Sequence, residues 1–257
     1  MKNLIEIFKY RQMLYTLVRK DLRTRYKASF LGFLWTFLNP LLMLIVYSII
    51  FPYLLRIKVE NYAIFLFVAL LPWLYFSTSV LTSSTCIVAN SNLVKKIYFP
   101  RTIIPLSVAI SGLINMFLSY LIVIPVLLIT RFFPTVNVLY FPILFAVEFL
   151  LVTGFTLFAS CLTVYFRDLE HILGVILLAA FYATPVLYNL DMLPEKFQRL
   201  SLLNPMSTIV SGFRDIFYYR RAPNLVHLVY VGLFSVVLIV AGIMLFNKLQ
   251  RRFAEEV

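Results

Sequence analysis

The chain has 257 residues, 62% of them hydrophobic and only 13% charged, with a mean hydropathy of +0.92. A soluble domain is nearer half apolar and a quarter charged, so the composition excludes an ordinary soluble enzyme or binding module and reads as a polytopic membrane protein. The net charge of +12 then belongs to the membrane and not to nucleic acid, because Lys and Arg flank spans and anchor them on the cytoplasmic side.

In chain order, the first element is a basic stretch. Residues 1–28 hold eight cations, and five of them, Arg19, Lys20, Arg23, Arg25 and Lys27, lie within nine residues. In a helix Arg19, Arg23 and Lys27 fall on one stripe, with Leu14, Val18, Leu22 and Tyr26 on the stripe beside it. Such a basic amphipathic helix is expected to lie along the membrane surface. Ser29 and Gly32 mark the bend into the bilayer. So many cations ahead of the first span exclude a cleaved signal peptide.

A helix crossing the bilayer core needs about 20 apolar residues. Six segments are expected to do so: Phe30–Leu55, Tyr62–Val88, Ile103–Thr130, Val138–Phe166, Ile172–Leu190 and Leu225–Phe246, the fifth being the shortest. Six spans put both termini on one side. That side carries fifteen Lys and Arg against eight on the other, which places the termini in the cytoplasm. Prolines at 40, 52, 72, 105, 125, 142 and 185 fall in or near spans and are tolerated where neighbours satisfy the freed carbonyls.

Asn189–Asn224 is too polar to cross, yet Leu200–Phe213 within it is too apolar for an ordinary loop and is broken at Asn204-Pro205. It reads as two short re-entrant helices in the outer leaflet. Backbone of that kind is stable at membrane depth when it is buried in protein or lines a cavity. Residues 1–257 thus read as one all-α membrane domain: an interface helix to residue 29, five spans over 30–190, a periplasmic re-entrant segment over 191–224, and the last span with its tail.

The chemistry-bearing motifs are mostly missing. None of the seven glycines opens a Walker A pattern, so ATP and Mg, if used, belong to a separate subunit. There is no Gly-x-Ser-x-Gly, no His-Glu-x-x-His and no close carboxylate pair within a span. His171 and His227 stand alone, and Cys86 and Cys161 have no metal-ligand spacing. An enzyme is not expected, nor any cofactor or metal in this chain.

Glu148 is the one acid well inside a predicted span. It reads as a hydrogen-bonded acid facing another helix, or as a polar group lining a pathway; one isolated carboxylate makes no relay. In the loop 90–101, Leu93, Val94, Ile97, Tyr98 and Phe99 form an apolar surface beside Lys95 and Lys96. An apolar face bounded by charge suits a soluble partner, and a helix end resting on headgroups fits too. Phe30, Phe33 and Phe37 share a helical face, either packing or offering rings on which sugar faces could slide.

Several stretches, in their order, carry a resemblance. They are Arg19-Lys-Asp-Leu-Arg-Thr-Arg-Tyr26 with Ser29-Phe-Leu-Gly-Phe-Leu-Trp35 and Asn39-Pro40; Asn92-Leu-Val-Lys-Lys-Ile-Tyr-Phe-Pro-Arg101; Tyr165-Phe-Arg-Asp-Leu169; Pro185-Val-Leu-Tyr188; and Leu203-Asn-Pro-Met206 followed by Phe213-Arg214. The chain resembles the membrane subunit of bacterial ABC transporters that export polysaccharides, most nearly the O-antigen permeases. The resemblance implies a homodimer of six-span subunits in the inner membrane, two nucleotide-binding subunits beneath it, and a polyprenyl-diphosphate-linked glycan as cargo.

In that frame Arg19, Lys20, Arg23, Arg25 and Lys27 would meet the diphosphate; as a topological anchor the same cations would bind anionic lipid. Phe30, Phe33 and Phe37 would line the channel, and Leu93 through Phe99 would couple to the ATPase. Asn204, Pro205 and Arg214 would form the outer gate. Competing readings are a drug or lipid exporter of the same family, a membrane enzyme acting on polyprenyl-linked sugars, and a secondary transporter, which should show intramembrane charges and a repeat.

Overall fold

The computed structural model describes residues 8–24, 31–55, 59–129, 132, 135–250 and 253. Ten α-helices follow one another among these residues: α1 (Arg11–Thr24), α2 (Trp35–Leu55), α3 (Tyr62–Ala89), α4 (Ser91–Lys96), α5 (Ile103–Ile129), α6 (Phe141–Thr163), α7 (Leu169–Ala183), α8 (Glu195–Ser201), α9 (Pro205–Phe217) and α10 (Leu225–Leu249). Short 3-10 turns at Gly32–Leu34 and Val136–Tyr140 lead into α2 and α6. Gly32 has φ +46°, a left-handed conformation that glycine adopts without a Cβ penalty; Ser29, the other residue expected at the bend, lies outside the described residues.

The protein is an all-α, multi-pass membrane protein. Tyr62–Ala89, Ile103–Leu127, Val136–Thr163 and Leu225–Leu249 are each long and apolar enough to cross a bilayer, and Trp35–Ile50 and Leu169–Ala183 are shorter apolar helices. The fifth expected span, Ile172–Leu190, is cut back. α7 has 15 residues, about 22 Å at the helical rise, and stops at Ala183. The cause is Pro185, which pushes the residue before it out of the helical region; Thr184 is extended, with φ −93° and ψ 136°.

The helices alternate in direction between two ends. The basal end carries α1, α4 and the last turn of α10; the distal end carries α8 and α9. α3 is the axis of the bundle: α5, α6 and α9 pack on it most extensively, with α2 and α7 along its flanks. Its distal half, from Tyr62 to Trp73, is buried almost continuously.

Aromatic rings fill the distal core. Tyr120 stacks on Phe213 at 5.3 Å and on Phe217 at 5.6 Å, and Phe141 meets both edge-on. Close approach elsewhere depends on missing side chains. A Cβ on Gly154 of α6 would sit 2.7 Å from Leu238 Cδ2 of α10, and one on Gly242 would sit 3.1 Å from Leu157 Cβ.

The basal core joins Leu17 of α1 to Ile87, Val94, Phe99, Ile103, Ile104, Phe246 and Phe253. The apolar side of α1 meets protein, with Leu17 and Val18 buried, while Arg19, Lys20 and Arg23 point outward. The bundle thus covers part of the apolar side of α1, with Met13 and Leu14 partly buried against the same core.

Candidate functional site

The middle of α3 reads Ser77-Thr-Ser-Val-Leu-Thr-Ser-Ser-Thr-Cys86. Helical spacing divides it. Ser79, Ser83 and Ser84 turn into the bundle and are buried, whereas Thr78 and Thr82 are exposed and Thr85 is half-buried. Thr78 Oγ1 donates back to the Leu74 carbonyl one turn earlier, so its hydroxyl sits on the helix at little cost. A hydroxyl-bearing stripe therefore runs along an open face of α3 toward the basal end.

At the distal head of that stripe, α2, α3 and α5 enclose a cleft of about 440 Å³. Thr36 and Asn39 come from α2, Tyr75 and Thr78 from α3, and Asn115 and Ser119 from α5. Gly112 creates the room: a Cβ there would lie 2.3 Å from Ser79 Oγ and 2.8 Å from Tyr75 Cε2, so α3 and α5 approach closely at this level. The Tyr75 hydroxyl is held by donating to the Ala109 carbonyl at 3.0 Å.

Three lining groups have no hydrogen-bond partner among the described residues. Thr36 Oγ1 and both polar atoms of Asn115 are buried without a hydrogen bond, and Ser79 Oγ behind them is in the same state. Thr36 is 4% exposed and Asn115 9%. A buried polar group left unpaired costs about 1–3 kcal/mol, so these groups call for a ligand or water. None of the lining residues is charged, and α2, α3 and α5 carry no Asp, Glu, Lys or Arg along their length.

The residues expected from sequence are spread around this cleft. Arg19, Lys20 and Arg23 are exposed on α1, and Lys20 Nζ donates to Asn90 Oδ1 at 2.8 Å. Arg25, Lys27 and Phe30, and the side chain of Phe33, lie outside the described residues; Phe37 is half-buried on α2. In the 90–101 loop the apolar surface divides. Val94 and Phe99 are buried in the basal core and Leu93 is half-buried, while Lys95, Lys96, Ile97 and Tyr98 are exposed, Tyr98 by 95%.

At the distal end the expected helix–break–helix is present. Asn204 Oδ1 caps α9 by accepting from the Met206 N–H at 3.0 Å, its Nδ2 donates to Thr184 Oγ1 at 2.9 Å, and Pro205 occupies the first turn, the position where its missing N–H costs nothing. Arg214 is 3% exposed. It donates to the carbonyls of Phe65 (3.2 Å), Tyr188 (3.0 Å), Pro185 and Val186, and its guanidinium lies 3.6 Å from the Phe65 ring centroid. It ties α9 to the start of α3 and to the turn after α7. Next to it Asp215 pairs with Arg221 at 2.7 Å. Burial raises the Asp215 carboxyl above its ordinary range, and the Arg221 guanidinium pulls it back down.

Glu148 is fully buried on α6 and faces the interhelical core, but neither carboxyl oxygen has a hydrogen-bond partner. The expected hydrogen-bonded acid is therefore corrected: among the described residues neither oxygen receives a hydrogen bond, and the hydroxyls of Tyr75 and Tyr120 donate to the Ala109 and Val68 carbonyls instead. Sequence reasoning did not select Asn115, Thr36 or the Thr78–Thr85 stripe. Their signal was present as one amide in an apolar span and as a dense Ser/Thr run in another.

The chain matches the family model for the ABC-2 type transporter over residues 12–218. It is 37% identical to the O-antigen export system permease protein RfbA of Myxococcus xanthus, with 98% of each chain covered. A protein of the same name from Klebsiella pneumoniae is 35% identical, over 95% of this chain and 94% of that one. The polysialic acid transport protein KpsM of Escherichia coli is a more distant relative, 24% identical over 89% of this chain and 90% of its own.

Proposed function

The chain belongs to the ABC-2 type transporter family, and from that premise we propose that it is the permease subunit of an ATP-driven exporter that moves polyprenyl-diphosphate-linked polysaccharide, of the O-antigen kind, out of the cytoplasm. The observation that carries this reading is the uncharged, hydrogen-bonding cleft and threonine stripe set among apolar helices. A permease for drugs or free lipids would be served by an apolar lining; hydroxyl and amide groups suit a glycan.

The remaining assignments rest on this reading. α2 leaves Leu42, Ile45 and Val46 exposed, and α7 leaves Val175, Ile176 and Tyr182 exposed, which suits a second copy closing a channel along a shared axis. Arg19, Lys20 and Arg23, with Arg25 and Lys27 beyond them, meet the substrate diphosphate at the inner leaflet, because a guanidinium fork matches phosphate oxygens. Phe30, Phe33 and Phe37 follow them along the channel wall. Two nucleotide-binding subunits, which bind the ATP and Mg, dock on Lys95, Lys96, Ile97 and Tyr98. Asn204, Pro205 and Arg214 set the outer mouth. The protein lies in the bacterial inner membrane with both termini cytoplasmic, as the cation asymmetry supports.

Deleting the gene in its source cell tests the function. Lipid-linked glycan is expected to accumulate on the cytoplasmic face and to reach the surface again on complementation. Unchanged surface glycan in the deletion strain would overturn the reading.

A further inference from the structure

We propose that the α2–α3–α5 cleft recognises uncharged sugar units, so that the permease passes neutral glycans in preference to glycans with an acid on each unit; the proposal rests on the export reading above. Thr36 and Asn115 are more than nine-tenths buried and their polar atoms are unpartnered, so the cleft holds donors and an acceptor already stripped of protein partners. An amide offers two N–H donors and a carbonyl acceptor, and a hydroxyl does both jobs. A sugar hydroxyl, itself donor and acceptor, matches that set. The space of about 440 Å³ lies in the range of small-ligand pockets and far exceeds one water. Trp35 and Tyr75 border it.

Charge decides the class of sugar. α2, α3 and α5 hold no cation, and the acid of the neighbouring α6, Glu148, is buried without a partner. A carboxylate leaving water for this cleft would lose its hydration with no guanidinium or ammonium among the described lining residues to replace it. A neutral hydroxyl gives up water hydrogen bonds and gains protein ones in their place. The Thr78–Thr82–Thr85 stripe continues the same neutral chemistry toward the basal end.

The test uses the full permease reconstituted with its ATPase subunit in proteoliposomes. Three cargoes are compared: the lipid-linked glycan of the source cell, the same glycan with its primary hydroxyls oxidised to carboxylates, and the methyl ester of the oxidised form. The native and ester forms are expected to be transported at similar rates and the carboxylate form at least ten-fold more slowly. Equal rates for all three, or a source glycan already bearing an acid on each unit, would overturn the proposal. In parallel, Asn115→Leu and Thr36→Val should raise the half-saturating concentration of native glycan at least five-fold while leaving the melting temperature unchanged or higher. Unaltered saturation in both variants would also overturn it. If no cargo moves in the wild-type assembly, the export reading itself fails, and this proposal with it.

Discussion

Arg214 and Asn115 are both buried polar residues, with opposite states. Arg214 donates to four backbone carbonyls drawn from the start of α3 and the turn after α7. The Pro185, Val186 and Tyr188 carbonyls lie in the turn beyond the end of α7, outside any helical ladder, and each would cost about 1–3 kcal/mol if left unpaired. Arg214→Met is therefore expected to cost at least ~3 kcal/mol, a fall in melting temperature of about 6–12 °C for a chain of this size. Arg214→Lys should recover only part of it, because one ammonium cannot reproduce a guanidinium fork. Thermal unfolding in detergent checks both, and a wild-type melting temperature in Arg214→Met would refute the tie. The sequence marked Arg214 inside a motif, but its acceptors stand 26 to 149 residues away; backbone carbonyls have no sequence signature that pairs them with a side chain.

At the scale of elements, the α3–α5 crossing depends on Gly112. A Cβ there meets the Ser79 hydroxyl and the Tyr75 ring, so Gly112→Ala should force the helices apart and lower both melting temperature and glycan transport. Adding Ser79→Gly removes the closest clash and should return part of the loss, a non-additive result that a double-mutant comparison of melting temperatures reads directly. The 90–101 segment gives a second contrast. Ile97 and Tyr98 are exposed, and Val94 is buried in the basal core. Ile97→Asp and Tyr98→Asp are expected to keep the fold and reduce copurification of the ATPase subunit, whereas Val94→Asp should unfold the basal end. Copurification at the wild-type level in both surface variants would remove this segment from the ATPase interface.

For the whole molecule, the alternating helices put residues 60 and 224 at the distal end and residues 19 and 96 at the basal end. With Cys86 and Cys161 both buried, single cysteines at surface sites should report sidedness over a low background. A membrane-impermeant maleimide added outside is expected to label Glu60→Cys and Asn224→Cys but not Arg19→Cys or Lys96→Cys in intact spheroplasts. The reverse pattern would invert the orientation. A second copy should show itself too: oxidation of a cysteine placed at Val46 or Val175, on the exposed faces of α2 and α7, is expected to give a disulfide-linked dimer at one of them.

The sequence by itself determined the membrane class, the apolar segments, the break at Asn204-Pro205 and the charge asymmetry. Each of these is local: hydropathy over some twenty residues, a proline that cannot continue a helix, a cation that cannot cross. Only the tertiary structure decided which faces are inside. α3 and α10 read alike as apolar helices, yet 78% of the apolar window of α3 is buried and 22% of that of α10. In a bilayer both lipid and protein are apolar, so a helix that packs on neighbours and one that faces lipid carry the same residues. The same ambiguity hid the docking of α1 on the bundle, and it hid the cleft, whose unpaired Asn115 and Thr36 acquire meaning only when α2, α3 and α5 bring them together.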